Sequence, residues 1–349
     1  MKKTFLTILL VVAIGVIAVV VFHRGGNKAS RLTPIRIGWQ ISWAPQAQLA
    51  QVLKHTDILE KNGLKGEFKS FSYGGPLNEA ALAGDVDVIF TADFPAINLL
   101  SKSDKWVIVS RLIDFRGGII VPKNSPYRSV ADLKGKVIPG PYGSGTHLHV
   151  TSFLKEQGFD PRKDFRLQNL DILEQSNLIQ KGTAESWGKI AGFISWDPTM
   201  ALQETAGKAR VLKLVVPQSF VVMSTKIIEK DPRAAKDFVK SFIQAYYFYA
   251  RNQKLANEWF VQEANTDMPQ EVLDVAASLE ENLRVKEIDN IDIAISEERL
   301  AKLDKIMQEA VKNNFLTKPV AVGGRINYRL LEQAKREASR FDLNAVRIK

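Results

Sequence analysis

The chain has 349 residues, 45% hydrophobic and 25% charged, the balance of a folded globular protein with room for one large domain or two lobes of ordinary size. It has no cysteine, which excludes disulfides, thiolate metal sites, a cysteine nucleophile and a lipid-modified N-terminal cysteine. The net charge of +10 is scattered, with no basic run interleaved with aromatics, so it reads as a solvated basic surface and no nucleic-acid site is expected.

"MKK" precedes an apolar stretch from Phe5 to Phe22, short for a membrane span and long for the apolar part of a cleaved signal. No small-residue cleavage site follows, so an uncleaved signal-anchor helix is expected, with a cleaved signal peptide as the alternative. Lys2 and Lys3 flank one side and Arg24, Lys28 and Arg31 the other, which leaves orientation open. Either reading exports the rest of the chain when the N-terminus stays inside.

After a polar linker, "PIRIGWQ" predicts a strand and "ISWAPQ" a loop. "AQLAQVLKHTDILEKNGL" has helical spacing up to Gly63, with His55 on its solvent side. "KGEFKSFSY" alternates as a strand, "LNEAALAG" is a short helix, and "VDVIFTA" is a strand buried on both faces. "DFPAINLLSK" predicts a helix and "KWVIVSRLI" a strand. The pattern then restarts: strands "GIIVPKN" and "GKVIPG" around "SVADLKG", helix "THLHVTSFLKEQG", extended "DFRLQNLD", and a largely helical "ILEQSNLIQKGTAESWG". "IAGFISW" is a strand, "DPTMALQETAG" a helix and "ARVLKLVV" a strand. From Asp231 the chain turns helical, and the charged last helix, "NYRLLEQAKREASRF", is expected on the surface. Strands alternating with helices predict an α/β fold with mostly parallel sheet.

Two stretches match at an offset of 104 residues, "AGDVDVIFTADFPA" and "WGKIAGFISWDPTM". Gly84 falls on Gly188, Val86 on Ile190, Thr91 on Ser195 and Asp93 on Asp197. The pairing predicts two lobes built alike, each presenting a polar loop at the carboxyl end of a strand, where open α/β sheets bind ligands.

Catalytic motifs are absent: there is no H-E-x-x-H, no G-x-S-x-G and no dinucleotide-binding G-x-G-x-x-G, so no cofactor and no metal is expected. His147 and His149 are two apart on a helix and cannot chelate together. Asp85 and Asp87 read as turn-orienting residues. "PGPYGSGTH", Pro139 to His147, places Gly140 and Gly145 at P-loop spacing, but Thr146 and His147 stand where Lys and a hydroxyl residue would bind phosphate and Mg²⁺. Two readings survive: an N-capped strand-to-helix turn, or backbone N–H groups gathered for an anion. Strand-end loops also carry Trp39, Trp43, Tyr73, Phe94, Tyr142 and Trp196; each singly suits a core, and jointly they suit the walls of a small-ligand cleft.

In order, "IRIGWQ", "DILEKNGL", "FSYGGPLNEAALAGDVDVIFTADFPA", "SVADLKGK", "GSGTH" and "WDP" resemble the solute-binding proteins of ABC importers for sulfonates, taurine and nitrate, a family shared with thiamine-precursor binders. The likeness runs over roughly residues 34–320. It implies a two-lobed periplasmic-binding-protein type II fold with the ligand cleft at the hinge. Lobe one would be 34–118 plus 222–349 and lobe two 119–221, after an anchor and linker at 1–33, with hinges near Gly117–Gly118 and Gln218–Val222.

It also implies a site drawn from the loops Trp39 to Gln46, Tyr73 to Pro76, Thr91 to Pro95, Ser144 to His147 and Trp196 to Asp197. The residues carried over are Gln40, Trp43, Gln46, Tyr73, Gly75, Asp93, Phe94, Ser144, Gly145, Thr146, His147, Trp196 and Asp197. "GSGTH" would hold the oxyanion of a sulfonate-like solute. The implied partners are that small-molecule ligand, ABC permease subunits and the membrane, with a monomeric exported domain. "FPA" and "GSG" depart from the Ser-rich loops of many sulfonate binders and leave the solute open. The alternatives are an enzyme on the same fold, of the kind found in menaquinone synthesis, a pyrimidine-precursor binder, and a sensing ectodomain.

Overall fold

The computed structural model describes residues 32–349; the expected Phe5–Phe22 anchor lies outside the described residues. Among the described residues no helix is long and apolar enough to cross a membrane.

Ten strands run in chain order: β1 Thr33–Gln40, β2 Leu64–Phe71, β3 Val88–Ala92, β4 Trp106–Asp114, β5 Gly117–Pro122, β6 Val137–Gly140, β7 Arg166–Asn169, β8 Phe193–Trp196, β9 Ala209–Val215 and β10 Gln218–Ser224. The first sheet has the order β2-β1-β3-β10-β4. The second has β8-β5-β9, and the separate β6-β7 pair joins it through an Ala191 N–H to Val137 O bond of 3.0 Å and a parallel bridge at Ile190. The two orders correspond strand for strand, with β3 answering β8 and β10 answering β5. The offset of 104 residues falls on β3 and β8, so the internal match read from sequence is a match of equivalent strands.

The sheets are mixed, which corrects the expectation of mostly parallel pairing. β1 and β3 are parallel, but β10 runs antiparallel to both β3 and β4, and β5 antiparallel to β8 and β9. The cause is β10, which sequence reading left without an element: the chain returns from the second sheet and inserts between two strands already laid down. The switches are short. Asp114 pairs with Gln218 in the first sheet, while Gly117 pairs with Val215 in the second. Residues 115–116 and 216–217 therefore carry the chain across.

Seven helices matter for the site: α1 Gln46–His55, α2 Gly74–Ala83, α3 Asp93–Lys102, α4 Gly145–Glu156, α5 Pro232–Arg251, α6 Glu297–Lys312 and α7 Tyr328–Ala338. Alternate strand residues face opposite sides of each sheet. Ile35, Ile37, Phe90 and Val221 share one core with Phe238 and Phe242 of α5, while Ile89, Phe220 and Val222 pack the other face with Ile97 of α3 and Leu303 of α6. In the second sheet Ile119 and Val121 join Val150 and Leu154 of α4, and Ile120 turns to Phe193 and Met200. Helix α7 is no pure surface helix: Leu330, Leu331 and Ala334 are buried in the first core. His55, expected on the solvent side, is half-buried and stacks on Trp259 at 5.0 Å.

Gly118 is a strand position where backbone conformation and space both require glycine. Its φ is +155°, and a Cβ there would stand 1.9 Å from the Lys213 carbonyl oxygen of β9. Asp87 takes the structural role read for it, held by Arg36 through its Nη2 at 2.7 Å and Nε at 2.9 Å.

Candidate functional site

Strand ends from both sheets meet around a small cavity lined by Gln40, Trp43, Phe115, Ser144, Gly145, Thr146 and Trp196, with Gly74, Ala92 and Pro95 completing it. Its free volume is about 10 Å³, room for about one water. The halves are in contact here. A Cβ on Gly145 of α4 would lie 2.9 Å from Asp93 Oδ1 and 3.0 Å from Ala92 Cβ, so only glycine allows this approach.

The walls are largely apolar, and three of the lining residues carry unpartnered polar atoms. Trp43 Nε1, Trp196 Nε1 and Thr146 Oγ1 are buried with no partner among the described residues. An indole N–H can only donate, and a hydroxyl can donate or accept. The Phe115 ring supports Trp43 at 4.6 Å. Helix α4 starts at Gly145, so its first N–H groups and positive dipole end face the same place.

The expected residues divide into lining, bracing and remote groups. Gln40, Trp43, Ser144, Gly145, Thr146 and Trp196 line the cavity. Ser144 also acts as the α4 N-cap, accepting from His147 N at 3.1 Å, so the capped-turn reading of "GSGTH" holds together with the exposed helix end. Gln46 braces the loop: its Nε2 donates to Trp43 O at 2.8 Å and to Gln40 O, and its Oε1 accepts from Gln40 N. Tyr73 and Gly75 open α2 beside the cavity, where Gly74 lines it. Of the expected aromatic walls, Trp39 is core, Phe94 packs on Phe315 at 5.6 Å and Tyr142 stacks on His147 at 4.5 Å. His147 thus points away from the cavity, and burial pulls its imidazole down to about 4.

Asp93 and Asp197 sit behind the lining. Asp93 Oδ2 is bonded by His149 Nε2 at 2.7 Å and by Gln218 N at 3.1 Å, and its Oδ1 accepts from Phe94 N at 2.7 Å. His149 and His147 diverge as their spacing requires, and His149 crosses between the two sheets' halves. Asp197 Oδ1 accepts from Ala201 N at 3.0 Å, but its Oδ2 has only Arg116 Nη1 at 3.6 Å. Burial pushes its carboxyl up to about 6 against the pull of Arg116, whose Nη2 is taken by Glu204 at 2.6 Å.

Sequence reading missed three contributors. Phe115 and Arg116 lie in the crossing segment, where no periodic pattern marks them. His149 was visible only as one of four histidines, because its partner is 56 residues away.

The sequence and the fold were compared with known proteins. Residues 49–180 match the model of a family described as ABC transporter, phosphonate, periplasmic substrate-binding protein. A Bacillus subtilis (strain 168) protein named as an aliphatic sulfonates-binding protein is 25% identical over 308 residues, covering 85% of this chain and 86% of that one. The taurine-binding periplasmic protein of Escherichia coli (strain K12) is 25% identical over 242 residues, 66% of this chain and 70% of that one. Among solved structures, the alkanesulfonate-binding protein SsuA from Xanthomonas axonopodis pv. citri, bound to MOPS, superposes with a TM-score of 0.69 at 20% identity, covering 86% of this chain and 99% of that one. The fold is therefore the two-lobed fold of the periplasmic binding proteins, and the resemblance read from the motifs is met by relatives that span most of the chain.

Proposed function

We propose that this chain, a relative of the solute-binding proteins of ABC importers, is an extracytoplasmic binder that delivers a small anionic organic solute, sulfonate-like, to an ABC importer. The observation that carries the reading is the donor set: Trp43 Nε1, Trp196 Nε1 and Thr146 Oγ1 are buried and unpartnered among the described residues, and all three residues line one cavity at the start of α4. Three donors and a helix N-terminus suit a head group that offers several acceptor oxygens. Among the described residues no Lys, Arg or His lines this cavity. A neutral donor set in an apolar wall favours a singly charged, weakly hydrated sulfonate over a doubly charged phosphonate, whose desolvation would go uncompensated.

The solute enters only when the halves part, because the cavity holds about one water as it stands. We place the hinges at residues 115–116 and 216–217, where the chain changes sheets. The exported domain works as a monomer, tethered through Phe5–Phe22 on the strength of that segment's sequence alone.

A thermal-shift and calorimetric screen of the protein with alkanesulfonates, taurine, nitrate, phosphonates and pyrimidines tests the reading. A matching sulfonate at 100 times its Kd stabilises by about 2.7 kcal/mol. Stabilisation by phosphonates or pyrimidines alone would replace the solute class, and a mature N-terminus near residue 30 in native material would remove the tether.

A further inference from the structure

We propose a second ligand site, outside the cleft, that takes a small aromatic acid carrying a hydrogen-bond donor, in the cavity between α4, the 158–167 segment and the turn that follows α6. The cavity has a volume of about 900 Å³ and shares no lining residue with the cleft. That is the size of a small-molecule site.

Three of its polar side chains are almost fully buried and incompletely bonded. His147, Thr151 and Asn313 are 4%, 5% and 3% exposed, and His147 Nδ1, Thr151 Oγ1 and Asn313 Oδ1 have no partner among the described residues. Buried polar atoms in native proteins are nearly always bonded, so three unpartnered ones in residues that line one cavity favour a polar occupant there. Asn313 uses its amide donor on Ser152 Oγ at 3.0 Å, which leaves its carbonyl oxygen as an acceptor. The occupant therefore supplies a donor.

The remaining walls set the rest of the ligand. Tyr142 lies flat on His147 with ring planes 10° apart, and Phe315 meets His147 edge-on at 5.3 Å. Phe159 and Phe165 form the far wall, 5.4 Å apart. Tyr142 stands at the mouth with 41% of its surface exposed. Ring faces and edges on several sides favour a flat aromatic body.

Lys155 and Arg162 supply positive charge, and neither side chain has an ion-pair partner among the described residues. The one acid in the wall, Asp160, is already engaged, its Oδ1 by Arg162 N at 3.0 Å and its Oδ2 by Lys163 at 3.7 Å. His147 stays neutral at pH 7, because burial holds its imidazole near 4. The net charge facing an occupant is positive, which fits a carboxylate. Asn313 and Phe315 come from the half built on the first sheet and the other residues named from the half built on the second, so an occupant also ties the halves together.

The test is calorimetric titration of the full chain with 4-hydroxybenzoate, which has the ring, the acid and the donor. Binding is expected to be saturable in the submillimolar range, and phenol, lacking the acid, to bind about tenfold more weakly. The double variant Lys155→Ala with Arg162→Ala, at exposed or half-buried positions, is expected to weaken binding about tenfold, and Thr151→Val severalfold. Thr146→Val in the cleft is expected to leave it unchanged. Loss of binding in Thr146→Val with none in the double variant would place the probe in the cleft and overturn the proposal. No saturable binding at millimolar probe to a protein whose circular dichroism shows it folded would overturn it as well. Neither result bears on sulfonate binding in the cleft, which is read separately.

Discussion

The corner after β3 and the corner after β8 are equivalent by sequence and by topology, yet their aspartates live in different surroundings. Asp93 receives donors from three elements, and one of them, His149, belongs to the other half. Asp197 receives one short bond, from Ala201 N, and shares Arg116 with Glu204. Both carboxylates are fully buried. The comparison teaches that one repeated loop has been put to two uses. Asp93 fastens the halves where Gly145 lets them touch, whereas Asp197 holds a charge that its surroundings disfavour beside the Trp196 wall.

The largest effect should come from Asp93→Ala. It would strand His149, Gln218 N and Phe94 N in the interior, at roughly 3–5 kcal/mol of unfolding free energy in chemical denaturation. Asp197→Ala should cost less than half as much, because one backbone donor is left unpaired and a disfavoured charge is removed. Equal costs would erase the distinction between the corners.

The next effect has the opposite sign and depends on pH. The folded-state value of Asp197 lies above its ordinary one, so the stability gained by keeping it protonated is complete below about pH 4 and is lost as pH rises through about 6. Asp197→Asn keeps an acceptor for Ala201 N without the charge. At pH 7 it should stabilise by at most about 3 kcal/mol, the free energy of a two-unit shift, and below pH 4 by nothing. His147 runs against this trend. Its value is lowered to about 4, so its neutral form loses stability as pH falls from 6.5 toward 4. In the wild type the two trends offset each other, and the Asn variant should expose the fall due to His147. A gain that persists unchanged at pH 4 would show that the stabilisation does not come from removing the Asp197 charge.

Third in size is Thr146→Val, which removes a cleft donor and should weaken binding of the matching sulfonate by about 1–3 kcal/mol in calorimetry, with little change in stability. Ser144→Ala should do the reverse, losing about 1 kcal/mol of stability as a helix cap. If Ser144→Ala matters to binding and Thr146→Val does not, the roles of the two hydroxyls in "GSGTH" are exchanged.

Much of this was legible because local chemistry marks it. "GSGTH" declares a helix start, and the repeated strand–hydroxyl–Asp unit declares two equivalent corners. What was not legible depends on the partner across space. The β10 segment "QSFVVMS" is a short, largely apolar run after Pro217, and its place is fixed only when the returning chain inserts between β3 and β4. Trp39 was drawn toward the cleft by its neighbours, but alternation along β1 sends it to the core with Ile35 and Ile37, and it is Gln40 that reaches the cavity. His149 and Phe115 gain meaning only from a second sheet that sequence periodicity does not position.

The smallest effects bear on the hydroxyls that precede the two aspartates. Thr91 Oγ1 and Ser195 Oγ are both buried and both unpartnered among the described residues. Replacing an unpartnered buried hydroxyl by an apolar group of similar shape is near neutral, so Thr91→Val and Ser195→Ala should each change stability by less than about 1 kcal/mol. Their effect on the solute should differ. Thr91 stands behind Gly74, where a Cβ would come within 3.4 Å of its Oγ1, and Gly74 lines the cleft. Ser195 lies on β8 behind Trp196, in a strand paired to β5 on its other side. Thr91→Val should therefore weaken sulfonate binding severalfold and Ser195→Ala should not. The reverse result would mean that the corner on the second sheet, with Asp197 beside it, is the one that faces the solute when the halves open.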